Sequence, residues 1–72
     1  MRTEGEISAA NQAVDAMGGA NKAAKMLSID GFTVTREAVG MWRLNGVNYA
    51  WITRVALASG VPAGELSIYY VE

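Results

Sequence analysis

Turn-forming glycines cut this chain at Gly18-Gly19, Gly31, Gly46 and Gly60. Cuts at this spacing hold every helix between them to a few turns. A 72-residue chain divided in this way forms a stable core only if several short helices share it, because a chain this small buries only about 60% of its unfolded surface.

The segments between the cuts have helical periodicity. In EISAANQAVDAMGG, Ile7, Ala10, Val14 and Met17 recur on one face before the glycine pair stops the run. Residues Ala20 to Leu27 form a second helix with a face of small side chains, Ala20, Ala23, Ala24 and Leu27. Asp30-Gly31 marks a turn, and alternation around Thr33 predicts Phe32 and Val34 tucked inward. Thr35 caps a third helix that ends before Gly46. NYAWITRVALASG is a fourth, with Asn48 as N-cap and an inner side of Trp51 or Ile52, Val55 and Ser59. Pro62 opens a one-turn fifth helix, PAGEL. The apolar end SIYYV, Ser67 to Val71, is β-branched and aromatic, and predicts either a short strand or a tail folded back on the helices. The expected fold is therefore all-α, one domain over residues 1–72 with four to five short helices and a C-terminal strand as an option.

Composition narrows the function. The chain has no histidine and no cysteine, so the commonest general base, the commonest metal ligand and every thiolate site are missing. Asp15, Glu37 and Glu65 fall on different helices with no spacing that suggests a paired catalytic site. The expectation is a non-enzyme without cofactor or metal. No apolar run approaches the ~20 residues of a membrane span, and no signal-like start is seen, so a cytoplasmic protein is expected. The net charge of −1 is unevenly spread: residues 1–19 sum to −2, residues 20–54 to +3 and residues 55–72 to −2. A positive middle suits a polyanion, and ordinary surface scatter gives the same numbers.

The third helix, TREAVGMWRLNG, carries the sharpest pattern. At 100° per residue, Ala38, Val39 and Trp42 line up with Thr35 as a buried stripe. Glu37, Gly40, Met41 and Leu44 fall opposite. Arg36 and Arg43 share a line at the flank of that outer face, about 10 Å apart along the axis. A glycine inside a helix costs roughly 1 kcal/mol relative to alanine. Close approach to another surface is one reason to keep it. In a major groove the arginines suit guanine or phosphate, Glu37 suits cytosine N4, and Met41 or Leu44 suits a thymine methyl. A core or dimer contact for Met41 and Leu44 is the other reading.

GANKAAKMLSI followed by TREAVGMW resembles the helix-turn-helix of phage Cro-type repressors, and within them the YdaS-like regulators. The resemblance covers about residues 18–46. It rests on Ala24 at the centre of the first motif helix, Leu27 three residues on, the cap Thr35, Ala38-Val39 and Trp42-Arg43. GVPAGEL, Gly60 to Leu66, is similar to the short last helix of such proteins. The turn departs from the pattern, since Ser28 to Val34 is several residues longer than the family's. The resemblance implies a lambda-repressor or Cro-like fold. It implies base-edge contacts from Arg36, Glu37, Gly40 and Met41. It also implies phosphate contacts from Lys22, Thr35 and Arg43, with Asn21 and Tyr49 as further candidates.

The function expected on these grounds is sequence-specific binding of double-stranded DNA, with a homodimer on a palindromic operator. The alternative is a protein-interaction module such as an antitoxin or a repressor antagonist, which the net acidity and the apolar outer face also fit.

Overall fold

Thr3 opens the first helix. Its hydroxyl accepts from the Glu6 amide (3.1 Å), while Glu6 Oε1 accepts from the Thr3 amide (2.8 Å). This reciprocal capping box satisfies two donors that a helix start otherwise leaves open. The computed structural model of the chain describes residues 3–29 and 31–68. Five helices follow in order: α1 (Glu4–Ala16), α2 (Ala20–Leu27), α3 (Arg36–Asn45), α4 (Ile52–Ser59) and α5 (Ala63–Leu66), with a 3-10 turn at Tyr49–Trp51 before α4. No strand occurs among the described residues; Ile29 and Phe32 form one isolated bridge.

The first helix organises the rest, touching each of the other four. Its inner face is Ala9, Ala10, Ala13, Val14 and Met17, all buried. Three alanines there let neighbouring helices come close, and α2 answers with Ala23, Ala24 and Leu27. Val39, Trp42, Val47, Ile52, Val55 and Leu66 complete the core. Trp42 packs against Trp51 with ring centroids 6.3 Å apart and planes tilted by 45°, an arrangement aromatic pairs favour.

Several details differ from the sequence reading. Asn48 caps the 3-10 turn, its side chain accepting from the Ala50 amide (3.0 Å), and α4 starts only at Ile52. Pro62 stands at the N-cap of α5, one residue before the first helical position. Phe32 does not tuck inward. It is exposed, and the Arg54 guanidinium lies 4.4 Å from its ring centroid, while Val34 alone is half-buried. In the expected strand SIYYV, Ser67 ends α5 and Ile68 lies in a turn. The remaining residues, 69–72, lie outside the described residues. The Ile68 amide donates to Glu6 Oε2 (3.0 Å), so the chain returns to the start of α1 at this point.

The long connection between α2 and α3 is closed on itself. The Ser28 hydroxyl accepts from the Val34 amide (3.0 Å) and donates to the Val34 carbonyl (3.2 Å). The Phe32 amide donates to the Ile29 carbonyl (2.9 Å). With its two ends clasped, the extra length is a small side loop. The path from Ser28 to Thr35 is effectively short, and α2 packs directly on α3.

Candidate nucleic-acid interface

Thr35 starts α3 as the sequence predicts, its hydroxyl accepting from the Ala38 amide (3.1 Å). That hydroxyl keeps its own hydrogen for an outside acceptor. Gly46 ends the helix, its amide bonded to the Trp42 carbonyl (2.8 Å). Val39 and Trp42 are buried and Ala38 is half-buried, so the inner stripe is as expected. The opposite side faces outward. Met41 is 52% and Leu44 69% exposed, and Arg36 and Glu37 are both exposed.

Gly40 sits among these residues. A Cβ built on it meets no atom within 4 Å, and its backbone is ordinary helix. Neither crowding nor a special dihedral within the chain accounts for a glycine here. It leaves an open position on the helix face that Arg36, Glu37 and Met41 share.

The two arginines of α3 are less free than the sequence suggests. Arg36 Nε lies 3.2 Å from Glu37 Oε1, and both side chains are largely exposed. Arg43 turns toward α1. Its Nη2 lies 2.6 Å from Asp15 Oδ1, and its Nη1 donates to Asn11 Oδ1 (3.0 Å). The Asn11 amide group donates in turn to the carbonyls of Arg43 and Ile7, both at 2.9 Å. Asn11 therefore ties the C-terminal turn of α3 to the middle of α1, and Arg43 is a brace in this structure. A backbone hydrogen bond at Glu37, then the Arg36 guanidinium, hold the Glu37 carboxyl below its ordinary value. The carboxylate is thus an acceptor throughout the neutral range.

The remaining candidates are exposed side chains on other elements. Lys22 and Asn21 stand in the first turn of α2, and Tyr49 stands in the 3-10 turn. A shallow groove of about 470 Å³ runs from Met41 and Asn45 to Asn48, next to Tyr49 in the chain. The helix brings Arg36, Glu37, Gly40 and Met41 together on one face. Arg43 is drawn away from it. Among the described residues Lys22, Lys25 and Arg54 have no ion-pair partner, and no group of acidic residues could hold a metal ion.

Asn11, Asp15 and Ser28 shape this site without having been marked as functional by the sequence. Asn11 and Arg43 are 32 residues apart, and no local pattern announces such a pair. No helix among the described residues is long and apolar enough to cross a membrane. No family model, curated protein or solved structure matches the chain.

Proposed function

We propose that the chain is a sequence-specific, double-stranded-DNA-binding transcriptional regulator, a phage or prophage repressor of Cro-like type, with α3 as its reading helix. The observation that carries this reading is the open position at Gly40, on the helix face that Arg36, Glu37 and Met41 share. The buried stripe of Val39 and Trp42 holds the helix from behind, and Asn11 and Arg43 fix its end. A rigidly held helix with one position open to the backbone suits entry into a major groove. The clasped loop supports the same reading, since it brings Ser28 and Val34, the two ends of the longer turn, together.

One helix of this length reads only a few base pairs. A homodimer on a palindromic operator doubles the site. In the cell this places the protein with the DNA, in the cytoplasm of a bacterium or phage-infected host.

A second reading has its own observation. Both α3 arginines already have carboxylate neighbours, while Met41 and Leu44 are exposed. An apolar protein partner, as for an antitoxin or repressor antagonist, fits that surface.

Affinity for a random-sequence duplex at rising salt separates the two. DNA binding requires log K to fall linearly with log salt, with a slope of about −1.8 or steeper if two or more phosphates are contacted. A protein that does not bind duplex DNA at low salt, or binds it with a flat salt response, belongs to the second class.

A further inference from the structure

Away from α3, the C-terminal end of α2 and the outer side of α4 enclose a shallow groove of about 270 Å³. Its lining is apolar apart from Arg54: Met26, Leu27, Ile29, Leu57 and Ala58. Leu57 is 83% exposed, the highest value among the large apolar side chains described. Met26 and Ile29 are about half exposed. Large apolar side chains gathered at one place on a small monomer mark a contact surface more often than scattered ones do.

Among the described residues that line the groove, Arg54 carries the only charge. Asp30, next to Ile29 in the chain, lies outside the described residues. Arg54 is held in place by stacking, 4.4 Å from the Phe32 ring centroid and 5.3 Å from that of Trp51. A guanidinium fixed on aromatic faces keeps its fork of donors for a carboxylate and loses little freedom on pairing.

We propose that this α2–α4 groove docks an acidic amphipathic segment of another protein. Two or three apolar side chains of the segment would sit over Met26, Ile29 and Leu57, with a carboxylate on Arg54. Helix-in-groove recognition uses apolar anchors at helical spacing in this way. Methionine adds a side chain that adapts to the anchor. A second copy of the chain is a poor occupant, because a twofold contact here sets Arg54 against its own copy, and none of the described lining residues is a carboxylate. A phosphate backbone would meet Arg54 but would desolvate the apolar lining for nothing. The inference does not depend on α3 binding DNA.

The test is selection from a random library of displayed peptides, each about 15 residues long, on the immobilised full chain. The expected winners are net acidic, with apolar residues at helical spacing. Their affinity should drop about tenfold or more for Leu57→Gln and for Arg54→Gln. Leu57 is a solvent-facing position, so Leu57→Gln should keep the parent's helical circular dichroism and melting. Met26→Gln is the second variant if it does not. Enrichment of neutral or basic peptides would overturn the proposal, as would no enrichment, or winners indifferent to both groove variants. Sedimentation decides against it if the chain self-associates and Leu57→Gln abolishes that association. A tenfold loss of random-duplex affinity in Leu57→Gln would likewise assign the face to DNA.

Discussion

Replacing Gly40 separates what the free protein needs from what its target needs. The position is mid-helix with ordinary backbone, and an added Cβ meets nothing within 4 Å. Glycine in a helix interior costs about 0.8–1 kcal/mol relative to alanine. Gly40→Ala should therefore stabilise the chain by about that much. In a domain of this size, 1 kcal/mol corresponds to a rise of about 4–8 °C in melting temperature. Gly40→Leu should gain most of the same increment, since leucine is also a good helix former. Its longer side chain would stand out from the face that Arg36 and Met41 share and hold the helix off any surface that now approaches it. Overpacking a close contact costs about 1–3 kcal/mol and sometimes more, a loss of about fivefold to over a hundredfold in affinity. The assays are thermal unfolding by circular dichroism and duplex binding by fluorescence anisotropy. A Gly40→Leu protein that melts higher and binds DNA like the parent would refute close approach at this face. A lower melting temperature for Gly40→Ala would refute the claim that the position is open.

Other changes test the supporting contacts. Ser28→Ala removes both hydrogen bonds that clasp the α2–α3 loop; it should cost about 1–3 kcal/mol in urea unfolding and weaken duplex binding further. Asp15→Asn removes the carboxylate beside Arg43, so duplex affinity at low salt should rise about threefold to tenfold; unchanged affinity would mean that Arg43 acts only as a brace. Arg36→Ala should cost about 1–3 kcal/mol of specific binding and relax the preference at one base pair per half-site, read from affinities for operators substituted one position at a time. The Glu37 carboxyl is held below its ordinary 4.5, so its small contribution to stability is complete above that value and is lost as pH falls through the lowered one. An acid titration of folding should therefore flatten slightly in Glu37→Gln, with no difference between the two proteins near neutral pH.

The helices were legible because their signals are local. Gly18-Gly19, Thr35, Gly46 and Gly60 stop or start helices through groups a few residues away, and Val39 and Trp42 take the inside by simple periodicity. The start of α1 is marked as locally: Thr3 followed three residues later by Glu6 is a capping-box pattern. The alternation at Phe32 misled for a physical reason. In so short a loop the clasp at Ser28 sets direction, and Arg54 covers the ring from α4 instead of the core doing so. The fate of Arg43 could not be read at all. A helical wheel places it at the flank of the outer face, but which carboxylate it meets depends on how α1 lies across α3. That arrangement is decided by packing of Ala9, Ala10 and Ala13, whose small size says that something comes close without saying what. The segment charges misled in the same way. The +3 of residues 20–54 overstates what α3 offers, because Asp15 comes from outside that segment.

If the α3 face reads duplex DNA, selection of bound sequences from a random duplex pool should return a palindromic consensus with half-site centres about one helical turn apart, recovered by the parent chain and lost or relaxed with Arg36→Ala. An unenriched pool at low salt, or a consensus that Arg36→Ala and Gly40→Leu both leave intact, would contradict it.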